Sequence, residues 1–199
     1  MAGSVQTGVG RSSRLSPGDQ ALDFTLTDTE GDQVKLSDLW KEKPVALVFL
    51  RHFGCIFCRE QLSLLKRDYS RFLEAGGEIV CVGQGSHKVA KALKILLDLP
   101  FPILTCGDDL TVFRAWGLER ATFGQIFGLS VLIRAIQAML AGHRQDKVVG
   151  DGWQQPGAFV VDRKGVVRFA HRNKSAADHV LNTDLLKVLN TIERDTGND

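Results

Sequence analysis

The chain lacks most of the features that assign a protein to a class at sight. Four cysteines in 199 residues are too sparse for a disulfide scaffold. A formal net charge of +2 gives no case for nucleic acid as the natural partner. The opening "MAGSVQTGVGRSSRLSPGD" has no apolar core of the kind a secretory signal needs, which argues against export. No stable membrane span is expected either. The longest apolar-leaning stretch, "FGQIFGLSVLIRAIQAMLAG" at residues 123 to 142, is interrupted by Gln125, Arg134 and Gln137. There are no internal repeats. "VGQGS" has neither the G-x-G-x-x-G spacing nor the lysine of a phosphate loop, so a tight strand-to-helix turn is expected there.

What is present is ordinary for a soluble globular domain: 44% hydrophobic and 24% charged residues, on a chain long enough to bury a substantial core. Residues 1 to 16 are small and polar and read as a disordered tail, followed by one domain over 17 to 192 and a flexible end at 193 to 199. A reducing cytoplasm is the expected setting. There a close cysteine pair is more often catalytic or metal-binding than structural.

"ALDFTLTDTEGDQVKLSDL" alternates apolar and polar residues on both sides of Glu30-Gly31-Asp32, the pattern of a β-hairpin. A short helical turn capped by Ser37 follows. "VALVFL" (45–50) is a continuous apolar run, as expected of a central strand buried on both faces. A helix is expected over 56 to 75, ended by Gly76-Gly77, then a second buried strand at 78 to 84. Ser86 opens a helix that Pro100 and Pro102 stop. A strand, a short helix ended by Gly117, and the 123–142 insert come next. In that insert Ile126, Leu129, Ile133, Ile136 and Leu140 share a helical face, expected to cover part of the core. A hairpin turning at Arg163-Lys164-Gly165 and a C-terminal helix capped by Asn182 complete an α/β layer fold.

The chemistry gathers at "LRHFGCIFCRE". Cys55 stands where strand gives way to helix, at the carboxyl end of a strand, where α/β folds collect functional groups. A helix N-terminus presents unpaired N–H groups and a positive dipole end, so Cys55 should have a lowered pKa. Arg51 and His52 stand just upstream and would add positive potential if they face the sulfur. Cys58, one turn on, could resolve a sulfenate or mixed disulfide on Cys55. Two other readings compete: half of a zinc site, or two inert buried thiols. Zinc would need further ligands, and Cys81 and Cys106 stand alone in strand-like segments with no His-x₃₋₅-His pattern. Those two read as buried core, His87 and His143 as solvated, and His171 and His179 as structural. Pro156, directly before a strand, could present backbone polar groups beside the cysteines. A cis Gln155–Pro156 bond and an ordinary strand-start proline are both open.

"PGDQALDFTLTDTEGDQVKLSDL" followed by "KPVALVFL" resembles the N-terminal half of the thioredoxin-fold alkyl hydroperoxide reductase and thiol-specific antioxidant superfamily. "FLRHFGCIFCRE", "VGQGS", "FPILTCGDDLTVFRAWGL" and "PGAFVVDRKGVVRFAHRNKSAADH" resemble its peroxiredoxin-like branch, over residues 17 to about 189. The resemblance implies a thioredoxin-like fold, a mixed sheet flanked by helices, with an added N-terminal β-hairpin and the 123–142 helical insert. It implies no metal or other cofactor, an antioxidant thiol-redox role on peroxides or protein disulfides, and recycling by a thioredoxin- or glutathione-type reductant. A homodimer is compatible with it.

The chain departs from the P-x-x-x-T-x-x-C pattern of true peroxiredoxins. With Cys58 as the peroxidatic residue, Cys55 replaces the Thr and Arg51 the Pro; with Cys55, His52 replaces the Thr and Val48 the Pro. Pro156 stands where the later Arg of true peroxiredoxins is expected and is itself a thioredoxin-like feature. Arg51 or Arg172 is the expected substitute for the missing charge. A thiol-dependent oxidoreductase working through Cys55 and Cys58 is the leading expectation. The alternative is a non-catalytic thioredoxin-fold interaction or redox-sensing module, with the 123–142 helix as its working surface.

Overall fold

A computed structural model of the chain describes residues 14–123, 129–140, 142, 150–175 and 177–196. Ile126, His143 and most of the expected N-terminal tail lie outside the described residues. The strands are β1 (Thr25–Thr27), β2 (Gln33–Lys35), β3 (Val45–Phe49), β4 (Glu78–Gly83), β5 (Ile103–Thr105), β6 (Gly157–Val161) and β7 (Val167–Arg172). The helices are α1 (Leu36–Glu42), α2 (Ile56–Arg67), α3 (Tyr69–Glu74), α4 (His87–Leu97), α5 (Thr111–Ala115), α6 (Leu129–Leu140) and α7 (Asn182–Thr196).

The strands form one mixed sheet in the order β2-β1-β5-β4-β3-β6-β7. β3, β4 and β5 run parallel, while β6 joins β3 antiparallel and the N-terminal hairpin joins through β1 at β5. This is the expected thioredoxin-like α/β arrangement. Because strand side chains alternate, β3 sends Val45, Leu47 and Phe49 to one face and Ala46 and Val48 to the other. On the first face α1, α5 and an aromatic group of Phe49, Phe113, Trp116 and Phe159 close a core. On the second, α2, α3, α4, α6 and α7 pack together, and both Cys55 and Cys58 belong to that layer.

Several local expectations shift. Ser37 does not cap α1: its backbone N–H is held at 2.9 Å by the Asp23 carboxylate, a longer-range partner than the local spacing suggests. The 56–75 helix breaks at Asp68, whose buried carboxylate accepts from the Asn182 side chain at 2.8 Å. Asn182 is thus spent on α2 rather than capping α7; Leu181 supplies the carbonyl that Asp184 and Leu185 use. Ser86 does cap α4, accepting from the Val89 N–H at 3.4 Å. Leu15 is buried in the layer of α5, and α7 runs to Thr196.

The insert helix presents an unexpected face. Val131 and Ala138 are buried, whereas Ile133, Ile136 and Leu140, expected to cover the core, are exposed with Leu132 and Met139. α6 packs on α2, with Arg134 paired to Glu60 at 3.3 Å. None of the described helices is long and apolar enough to cross a membrane.

Candidate active site

β3, buried on both faces, delivers the chain to the dithiol. Leu50 N–H still bonds Val82 at 2.7 Å, after which the chain turns, and Cys55 N–H returns to the His52 carbonyl at 3.1 Å. Cys55 is the N-cap residue of α2, with extended backbone and no formal side-chain cap bond. Its carbonyl accepts from Arg59 N–H at 3.1 Å, and Cys58 follows within the first turn. Both thiols are free, and both are almost wholly buried, at 1% and 2% exposure.

The two sulfurs differ in kind. The Cys58 thiol donates to Cys55, and this outweighs burial in bringing Cys55 down to about 6; the Phe57 and Cys58 amides and the Arg51 charge act in the same direction. Cys58 is pushed well above the ordinary thiol value by that same hydrogen bond, by burial and by the thiolate beside it. Its sulfur accepts from Arg51 N–H at 3.3 Å. Both shifts run in the direction that favours thiolate on Cys55 over thiolate on Cys58.

The structure sorts the supporting residues. Arg51 is beside the pair, its guanidinium donating to the Gly152 carbonyl through Nε at 2.5 Å and through Nη2. His52 is adjacent but adds no positive charge: burial, with Arg51 second, drives it down to about 4, and its Nδ1 has no partner. Arg172 is not brought to the sulfurs. It stacks over Phe159 on the opposite face of the sheet and donates to the carbonyls of Leu15, Trp116 and Gly117, which claim it because they end α5 and anchor the N-terminal segment. Pro156 is buried one step beyond the paired residues Phe49 and Gly157, at the end of β3 that leads to the cysteines. Its peptide bond is trans, so the cis alternative does not apply, and its carbonyl accepts from Asn173 N–H at 3.2 Å.

Burial pushes Cys81 far up and takes Cys106 up to about 12, so neither is a ready thiolate. His179 is buried beside Phe57 and Glu60, and burial, then Arg134, lowers it to about 4. His171 lies 3.5 Å from Asp178. Among the described residues no three His, Cys, Asp or Glu side chains converge as a metal site would require. Sequence reasoning passed over Gln84, which follows β4 and reaches the 150–153 segment. Its only signal is a polar residue ending an otherwise buried strand.

A mixed sheet flanked by helices, with a C-x-x-C pair at the carboxyl end of a central strand, defines a thioredoxin-fold thiol-dependent oxidoreductase. Within that class, residues 17–170 match the model of the AhpC/TSA family, and the chain belongs to it. The chain is 26% identical over 178 residues to the thioredoxin-like protein AAED1, chloroplastic, of Arabidopsis thaliana, which spans 82% of this chain and 68% of the relative. It is 25% identical over 180 residues to peroxiredoxin Q, chloroplastic, of Sedum lineare, spanning 90% and 81% respectively. The fold is shared with the crystal structure of peroxidoxin BcpB from Mycobacterium tuberculosis, at a TM-score of 0.67 and 20% identity over 89% of this chain and 98% of that one.

Proposed function

We propose that Cys55 is the nucleophile and Cys58 the resolving thiol of a reductase for small peroxides. The observation that carries this reading is the asymmetry of the pair: a low-pKa sulfur hydrogen-bonded to a high-pKa one. The Cys55 thiolate attacks one peroxide oxygen, the O–O bond breaks, and the Cys58 proton passes to the departing oxygen, leaving Cys55 as a sulfenic acid and releasing an alcohol or water. The Cys58 thiolate then attacks the Cys55 sulfur and expels hydroxide, closing the disulfide. A thioredoxin- or glutathione-type dithiol or thiol supplies the two electrons that restore the pair.

Deep burial of Cys55 supports a small oxidant over a protein disulfide, whose sulfur must approach in line with Sγ. With no Thr at the family position and Arg51 bonded to Gly152, turnover is expected to be modest. A reducing compartment such as the cytoplasm suits this cycle.

The test is mass spectrometry after one equivalent of peroxide. Wild type should gain a Cys55–Cys58 disulfide, and Cys58→Ser should trap a sulfenic acid on Cys55. Stopped-flow oxidation by hydrogen peroxide and an organic hydroperoxide no faster than free cysteine would defeat the peroxide reading. Insulin reduction without peroxide turnover would instead assign disulfide exchange, and an ordinary Cys55 titration the non-catalytic module.

A further inference from the structure

We propose that Gln84 is a positioning residue that holds Arg51 against the dithiol. This rests on the reading of Cys55 as the nucleophile and extends it beyond the C-x-x-C turn.

Gln84 is 1% exposed, and a buried primary amide is costly unless both ends are bonded. Here both are. Its oxygen accepts from Asp151 N–H at 2.6 Å, and its Nε2 donates to the Asp151 carbonyl at 2.9 Å and to the Arg51 carbonyl. One side chain thus ties the second residue after β3 to the segment that leads into β6. That segment in turn holds the Arg51 guanidinium, through the Gly152 carbonyl. Arg51 is therefore gripped at both ends: its carbonyl by Gln84, and its guanidinium by the loop that Gln84 fixes. Its N–H meanwhile donates to Cys58 Sγ.

The surroundings are shaped for this contact. Gly150 has φ +86°, and a Cβ there would overlap the Gln84 amide oxygen, so the loop passes Gln84 where only glycine fits. Asp151 is braced from the other side by Arg120, at 2.8 Å. A cation fixed near a sulfur favours thiolate, whereas one on a free arm is diluted by solvent and by its own rotamers.

The test is the pH profile of Cys55 alkylation by iodoacetamide, resolved by peptide mass spectrometry on the reduced protein. Gln84→Met keeps the size and removes all three hydrogen bonds. The expected result is an upward shift of the Cys55 midpoint by about one pH unit, the low end for losing a nearby opposite charge. In an Arg51→Met background the same substitution should shift the midpoint clearly less, because only the hold on the residue 51 backbone is left to lose. Gly150→Ala approaches the contact from the exposed loop and should shift the midpoint in the same direction even where Gln84→Met fails to fold. A low wild-type midpoint left unmoved by the folded variants overturns the role of Gln84 alone. So does a full shift in the Arg51→Met background. An ordinary wild-type midpoint overturns the assignment of Cys55 itself, and the role of Gln84 with it.

Discussion

The ring of Phe53 is packed so closely on Gly83 that a Cβ at position 83 would overlap it. Two residues before Cys55, this contact seats the turn that carries the dithiol on the end of β4. Gly83→Ala should therefore cost about 1–3 kcal/mol, as overpacking of a filled core does. It should also displace Phe53 and change the Cys55 alkylation rate. Urea unfolding measures the first effect, and an unchanged midpoint would show that the ring yields freely.

Cys58 tunes Cys55 through the thiol hydrogen bond. Cys58→Ala removes the donor that contributes most to lowering Cys55, so the Cys55 titration should move up from about 6 toward the ordinary 9.0. At pH 7 the variant would lose most of its thiolate. Absorbance of the thiolate near 240 nm against pH reads this directly, and a midpoint that stays low would place the effect in the α2 amides and Arg51 instead.

The reduced protein should show a rise in stability between about pH 6 and 9 that its disulfide form lacks. Cys55 is lower in the folded than in the unfolded state, so the unfolded chain binds the extra proton between about pH 6 and 9, and stability rises with pH across that window. Above 9.0 the raised Cys58, Cys81 and Cys106 reverse the sign, because the unfolded chain then loses protons first. Denaturant midpoints from pH 5.5 to 10 should pass through a maximum. A flat profile in the reduced form counts against the asymmetry.

His179 and His52 govern the acid side. Each is held neutral, with a folded value near 4 against an ordinary 6.5, so stability present above 6.5 is lost as pH falls toward 4. His179 faces Phe57, Glu60, Arg134 and Asp178. Since both of its ring nitrogens are buried without partners, His179→Phe should preserve packing and flatten the slope between pH 6.5 and 4. An unaltered slope would mean that His179 is protonated in the fold.

On α6 the exposed and buried positions should respond oppositely to intuition drawn from residue type. Ile136→Gln should change stability by no more than about 0.5 kcal/mol, as surface substitutions do. Ala138→Leu, adding bulk against α2, should cost about 1–3 kcal/mol and speed amide hydrogen exchange over 129–140. The reverse ranking would put the Ile136 face inward.

Strand and helix order, the two hairpin turns, the Ser86 cap and the placement of Cys55 at a helix N-terminus were all legible in the chain. They rest on local properties: hydrophobic period, turn chemistry, and residues adjacent in sequence. What remained hidden depends on partners distant in sequence. Ser37 and Asn182 have the right chemistry for caps, yet Asp23 occupies the N–H of one and Asp68 the amide of the other. Periodicity pointed the Ile133, Ile136 and Leu140 face of α6 at the core, whereas Val131 and Ala138 are the buried positions, because the face that is covered depends on how the helix docks. Arg172 and Arg51 are equally cationic on paper. The sheet separates them by sending one to the Phe159 face and leaving the other beside Cys58. The sequence alone determined that two cysteines sit one helical turn apart at a strand's end. Only the tertiary structure decided what surrounds the pair, because the Cys55–Cys58 hydrogen bond, the burial of both sulfurs and the position of Arg51 are set by contacts across the whole fold.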